Sequence, residues 1–165
     1  MQKISTFLWF DDQAEEAANF YVSVFAGRRG ASAGGSRSLS VLRYGEAGPG
    51  KAGTVMTVAF QLDGQEFTAL NGGPEYQFTE AISLWVNCGS QDEVDELWSK
   101  LSEGGEEGPC GWLKDRYGLS WQIVPTVLTE LLADPDPARS QAVMRAMLGM
   151  GKLEIDGLRR AYEAA

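Results

Sequence analysis

The sequence predicts an α+β fold: two tandem β-α-β-β-β modules whose strands curl into a curved mixed sheet, followed by a C-terminal helical segment. Three observations carry this expectation. Phe7-Leu8-Trp9-Phe10 is matched 76 residues on by Ser83-Leu84-Trp85-Val86. Each copy leads through a polar break into an amphipathic helical pattern that stops at glycine. Beyond each stop lie strand signals that end in a hairpin. Residues 1–125 then form the two-module domain, with modules of about 1–75 and 76–125, and residues 126–165 form the helical extension.

The first helix is expected from Gln13 to Phe25, because Ala14, Ala17, Ala18, Tyr21, Val24 and Phe25 recur at helical spacing. Asp12 with Glu15 supplies its start signal, and Gly27 suits a left-handed stop. The Ser/Ala/Gly stretch from Gly30 to Gly35 reads as a flexible connection. Strands follow over Ser38–Tyr44, Thr54–Leu62 and Glu66–Leu70, the last two joined by the hairpin dipeptide Asp63-Gly64. The second helix runs from Gln91 to Leu101 behind a Ser90/Glu93 capping box, with Val94, Leu97, Trp98 and Leu101 apolar and Gly104-Gly105 closing it. Cys110–Lys114 and Ser120–Val124 form the second hairpin, turning at Tyr117-Gly118. Aligning Gly64 with Gly118 sets Phe67 against Trp121 and Thr68 against Gln122. From Pro125 the pattern turns helical: Thr126–Leu132, then a helix capped by Asp136 with Pro137 at its first position and ending near Gly149. Val143, Met144, Met147 and Leu148 form its apolar stripe, for core or subunit contact. A last helix from about Leu153 carries Ile155, Leu158 and Tyr162.

Composition narrows the chemistry. The formal charge of −9 disfavours a nucleic-acid partner, because affinity for a phosphate backbone comes from clustered Lys and Arg. No apolar run suits a membrane span, and Met1-Gln2-Lys3 leads directly toward strand rather than into a secretory signal. Cys88 and Cys110 make no disulfide framework, so a cytoplasmic location is expected. The chain has no histidine, which removes Ser-His-Asp and Cys-His relays and any imidazole-bound metal. Neither Gly-x-Gly-x-x-Gly nor a phosphate-loop motif is present.

Longer motifs carry a family resemblance. They are Phe7-Leu8-Trp9-Phe10-Asp11 with Ala14-Glu15-Glu16-Ala17 and Asn19-Phe20-Tyr21, then Arg43-Tyr44-Gly45-Glu46-Ala47-Gly48-Pro49-Gly50 and Asp63-Gly64-Gln65-Glu66-Phe67. Ala69-Leu70-Asn71-Gly72-Gly73-Pro74, Cys110-Gly111-Trp112-Leu113-Lys114-Asp115, Tyr117-Gly118-Leu119-Ser120-Trp121-Gln122-Ile123-Val124-Pro125 and Asp134-Pro135-Asp136-Pro137 complete the set. With these motifs the chain resembles the PhnB-like branch of the vicinal oxygen chelate (glyoxalase/bleomycin-resistance) superfamily, often labelled with a 3-demethylubiquinone-9 3-methyltransferase domain name. The resemblance implies a glyoxalase-like cup around a small-molecule site, and a homodimer that completes the cup. A conventional S-adenosylmethionine site needs a glycine-rich strand–turn–helix, which this chain lacks, so the methyltransferase label is read as a name and no cofactor is expected.

In metal-using relatives each module offers two strand positions as ligands, and those slots fall here on Ser5, Thr68, Ala81 and Gln122. Alanine cannot ligate, and neutral hydroxyls are poor ligands without a carboxylate or imidazole beside them, so no metal is expected. Strand alternation puts Ser5, Phe7 and Trp9 on the cup face with Thr68, and Ser83 and Trp85 with Ala81 and Gln122. Leu8, Phe10, Leu84, Val86, Trp121 and Ile123 then face the helices. The ligand-binding candidates are therefore Ser5, Phe7, Trp9, Thr68, Ser83, Trp85 and Gln122, and the alternative is that Trp9 and Trp85 fill the cup. Glu66 on the second strand of the hairpin, and Asn71 and Glu75 just past the fourth strand, are secondary candidates. Lys114-Asp115 reads as a turn with a surface charge pair, Cys110 has no base to activate it, and Arg43, Tyr44 and Glu46 are candidates for a partner contact.

Three functional readings stand at this level. The first is a protein that binds a small apolar or aromatic molecule without a catalytic metal. The second is a metal-independent enzyme using Gln122, Ser5 and Glu66 or Glu75. The third is a structural or regulatory dimer with a filled cup.

Overall fold

The computed structural model describes residues 3–27 and 35–165, so most of the Gly30–Gly35 connection lies outside the described residues. The chain divides into two compact units, Met1–Phe78 and Thr79–Ala165.

The first unit runs β1 (Thr6–Phe10), α1 (Ala14–Phe25), β2 (Arg37–Arg43), β3 (Val55–Leu62) and β4 (Gln65–Asn71), in the sheet order β1-β4-β3-β2. β1 pairs with β4 in parallel; β3 pairs antiparallel with both β4 and β2. Asp63 and Gly64, with φ of 47° and 87°, make the tight turn that returns β3 as β4, and only residues tolerant of left-handed backbone allow it. Leu8 and Phe10 are buried on one side of β1, where α1 lays down Ala14, Ala17, Ala18, Tyr21, Val24 and Phe25. Phe60, fully buried, stacks on Phe67 at 5.3 Å and on Tyr21 of α1 at 6.2 Å between ring centres.

The start of α1 differs from the Asp12/Glu15 signal. Its N-cap is Gln13 and makes no side-chain cap. The Ala14 N–H instead donates to Asn71 Oδ1 at 2.7 Å, while the Asn71 amide donates to Val55 O at 3.2 Å. A residue at the end of β4 thus does the capping, which a local sequence signal does not reveal.

The second unit repeats the plan with β5 (Leu84–Cys88), α2 (Gln91–Ser102), β6 (Glu106–Glu107), β7 (Trp112–Lys114) and β8 (Ser120–Pro125), ordered β5-β8-β7-β6. β5 again pairs in parallel with the last strand, β8. The expected Ser90 cap forms, accepting from Glu93 N–H at 3.2 Å, while Glu93 Oε2 accepts from Gly89 N–H at 2.7 Å. Gly104, φ 75°, lies just past the helix end. The middle strands are short: Cys110 leaves the ladder with a φ of 57°, and the first strand after the helix, which the β-α-β-β-β plan requires without bounds, is the two-residue β6.

Helices α3 (Thr126–Leu132), α4 (Pro137–Leu148) and α5 (Ile155–Glu163) follow β8 directly. Asp136 caps α4 through Ala138 N–H at 2.9 Å with Pro137 in the first turn, as the Asp-Pro-Asp-Pro run implies. Val143, Leu153 and Leu158 pack with Val124 and Leu128 into one buried cluster. Met147 is partly buried against it, whereas Met144 and Leu148 stay exposed, so the methionine stripe is split between core and surface. Gln91 clamps the unit: its amide donates to Asp95 Oδ1 and to Leu153 O, both at 3.0 Å, and accepts from Ile155 N–H at 2.7 Å. The Tyr162 O–H donates to Asp134 Oδ2 at 2.5 Å, holding that carboxyl below its usual range, and Arg139 lies 5.0 Å from the Tyr162 ring centre.

Candidate functional site

In the first unit Phe7 stands beside Thr68 and Trp9 beside Leu70, on the face away from α1. Phe7 is 60% exposed and Thr68 half-buried. Ser5 is exposed and precedes β1. Trp9 is held locally: its indole N–H donates to Gly73 O at 2.8 Å, and its ring meets Tyr76 edge-on at 5.0 Å. The ring also lies against Gly72, where a Cβ would collide with it. Gly72→Ala is therefore expected to cost about 1–3 kcal/mol, an overpacking penalty readable by urea denaturation.

The secondary candidates of this unit separate. Asn71 closes β4 and is committed to α1 and β3, and its carbonyl accepts from Tyr44 O–H at 2.6 Å. Tyr44 is thereby buried within its own unit, while Arg43 and Glu46 are exposed. Glu66 is half-buried in β4, and Glu75 is exposed. A cleft of about 490 Å³ opens beside Asn71, rimmed by Asp11, Asp12 and Glu15.

The second unit concentrates more chemistry on one sheet face. Pairing registers set Trp85, Gln122 and Trp112 in one cross-strand row, and Ser120, Lys114 and Glu106 in the next. The Gln122 amide donates to Ser83 Oγ at 2.8 Å. Trp85 is 49% exposed and donates its indole N–H to Asn87 Oδ1 at 2.8 Å, so it does not fill its own unit's face. A cleft of about 400 Å³ lies on the second row, lined by Glu80, Glu106, Pro109, Trp112, Lys114 and Ser120 among others. Lys114 Nζ meets Glu80 Oε1 at 2.6 Å; this hydrogen bond holds the Glu80 carboxyl below its ordinary range and Lys114 above its own. The Ser120 Oγ is buried and has no hydrogen-bond partner.

Lys114-Asp115 is not a surface charge pair. Asp115 is only 2% exposed: its Oδ1 accepts from Tyr117 and Leu119 N–H at 2.8 and 3.1 Å, and its Oδ2 accepts from the Trp121 indole at 2.8 Å. Trp121 and Ile123 are buried on the helix side, as alternation requires.

The two ladders also differ in register. Phe7 pairs with Thr68, but Trp85, the repeat-mate of Trp9, pairs with Gln122. The residue standing where Thr68 stands is therefore Ser120, because the second hairpin passes from Lys114 to Ser120 through a longer turn than the Asp63-Gly64 turn of the first. Sequence reasoning overlooked Ser120, Trp112, Glu80 and Glu106. For Trp112 and Ser120 the signal was available, since each lies two residues from a named position on the same strand face.

Neither an implied metal nor an implied cofactor fits these residues. Among the described residues no group of three or more Cys, Asp or Glu side chains is placed to hold a metal ion. Ser5 and Ala81 lie exposed outside their strands, Ala81 carries no ligating atom, and the single amide oxygen of Gln122 does not make a metal site by itself. The β5–α2 turn, where a nucleotide-like cofactor would need free glycine N–H groups, has one glycine, Gly89, and its N–H is taken by Glu93.

Comparison with known proteins agrees with this architecture. Residues 2–124 match the family model described as 3-demethylubiquinone-9 3-methyltransferase. A PhnB protein from Bacillus cereus that bears the same methyltransferase label is 40% identical, with a TM-score of 0.63 over 76% of this chain and 100% of its own. Protein PA1353 from Pseudomonas aeruginosa (20% identity, TM-score 0.59, covering 76% of this chain and 98% of its own) shares the fold. So does the fosfomycin resistance protein FosX from Listeria monocytogenes (15%, TM-score 0.52, covering 79% of this chain and 97% of its own). No curated protein matches the chain. The matched strand orders, the repeat, the family-model match over residues 2–124 and the Bacillus cereus likeness together place the chain in the 3-demethylubiquinone-9 3-methyltransferase family, with PhnB-like proteins.

Proposed function

We propose that this protein binds a small, flat, apolar or aromatic molecule on the mixed face of its second sheet, without a catalytic metal. The observation that carries the reading is a cleft of about 400 Å³ lined by Trp112, Ser120 and Lys114, beside the cross-strand row in which Gln122 lies between the indoles of Trp85 and Trp112. Apolar walls with a few placed polar groups are what small-molecule sites use for affinity and orientation. Methyl transfer is not part of this reading, since the sequence shows no glycine-rich strand–turn–helix motif for the methyl donor. Turnover stands behind binding, because the deeply buried carboxylate of this unit, Asp115, is engaged by its own turn and by Trp121. Leu39, Val41 and Leu42, exposed along β2, support a homodimer as part of the same reading.

Thermal unfolding with menadione and 1-naphthalenemethanol tests the proposal. A ligand at a hundredfold its Kd stabilises by about 2.7 kcal/mol, or about 5–10 °C for a chain of this size. A shift with either compound, lost in Trp112→Leu, and none with Zn²⁺, Ni²⁺ or Mg²⁺, is the expected result. Stabilisation by a metal alone would reverse the order of readings.

A further inference from the structure

We propose that the ligand of the second-unit cleft is cationic: a flat apolar body against Trp112 carrying a protonated amine toward Glu106 and Ser120. This rests on the binding reading above and adds the sign of the ligand's charge.

The lining sets three carboxylates, Glu80, Glu106 and Glu107, against one ammonium, Lys114. That ammonium is already occupied. Glu80 holds it at 2.6 Å, and Glu106 is its cross-strand neighbour. An anionic ligand would have to share Lys114 with Glu80 and would face the carboxylates of Glu80, Glu106 and Glu107, in a chain of net charge −9. An ammonium meets the opposite conditions. Glu106 supplies charge, and the face of an indole attracts cations.

A second and independent observation lies beside Lys114. Ser120 pairs with Lys114 across the ladder, so its side chain rises on the cleft side of the sheet. Its Oγ is buried with no hydrogen-bond partner, an arrangement that folded proteins seldom leave unexplained. Its lone pairs can accept from an ammonium N–H. Glu107 is fixed differently: its carboxylate accepts from the Trp98 indole at 2.9 Å, which leaves Glu106 as the carboxylate free to adjust.

Three probes of one shape separate charge from shape: 1-naphthylmethylammonium, 1-naphthalenemethanol and 1-naphthoate, titrated into the full chain by calorimetry at low salt. The ammonium is expected to bind about tenfold more tightly than the carboxylate, the scale of one or two exposed charge contacts. The contrast should shrink in 1 M NaCl, where screening acts over about 3 Å. Glu106→Gln, at an exposed position, should reduce the ratio to about threefold. Ser120→Ala should weaken the ammonium more than 1-naphthalenemethanol. Equal or tighter binding of 1-naphthoate overturns the cationic assignment and leaves the binding reading intact. Failure of all three probes to bind overturns both.

Discussion

Asp115→Ala is expected to destabilise the second unit by about 3–4 kcal/mol, the largest effect of any polar substitution in this chain. Hydrogen bonds to a charged acceptor contribute about 1.5–3 kcal/mol each, and buried donors left unpaired carry their own penalty. Here one carboxylate satisfies three donors: two backbone N–H groups of the turn at Tyr117 and Leu119, and the indole of Trp121, which is 2% exposed. Asp115→Asn makes the sharper experiment. An amide can keep its oxygen on the turn, but it then presents N–H to the indole N–H, so about half the loss should remain. Urea unfolding followed by circular dichroism reads the stability, and tryptophan fluorescence reads the local change. A loss under 1 kcal/mol for Asp115→Ala would mean that the turn is held by its backbone alone.

The second large effect is expected at Phe60→Ala, about 3–5 kcal/mol, the range for deleting a large aromatic side chain from a close-packed core. Phe60 has no exposed surface, and its ring bridges Phe67 on the neighbouring strand and Tyr21 on α1. Phe60→Leu restores part of the volume and should cost about 1–2 kcal/mol. Phe7→Ser supplies the control, because a side chain 60% exposed on the opposite face of the first unit's sheet should change stability by no more than about 0.5 kcal/mol. Parallel chemical denaturation of the three variants would separate helix-side packing from face-side exposure.

These two residues also mark what the sequence made legible. The strand that carries Phe60 and its end at Asp63-Gly64 are local signals, although Phe60 itself was not singled out. The α2 cap, the Asp136-Pro137 start and the repeat of Trp9 at Trp85 were local in the same sense and were found. The role of Asp115 was not, because its partner Trp121 is reached only when the hairpin closes. Asn71 was noticed as a polar residue near a loop, yet its work is to cap a helix that begins at Ala14, far back in the chain. Ser120 was passed over for Gln122 because register depends on the number of residues in the turn. Alternation alone sets the face and leaves the position along the strand open. Long-range polar pairing and register are therefore where the reading fell short.

In both sheets the strand that begins a unit lies against the strand that ends its ladder, and this bears on the order of events during synthesis. β1 and α1 leave the ribosome before the rest of their unit, yet β1 gains its parallel neighbour only when Phe67 and the residues around it have been made. The antiparallel run β2-β3-β4 can pair within itself meanwhile, so the opening strand is the last to be enclosed. The second unit closes a shorter loop, from Leu84 to Trp121, which lowers the chain-entropy cost by about 0.5 kcal/mol relative to the first. Until closure, the stretch around Phe7 and Trp9 is an apolar segment with unpaired backbone, the kind of surface that chaperones hold and that associates when several chains are made together.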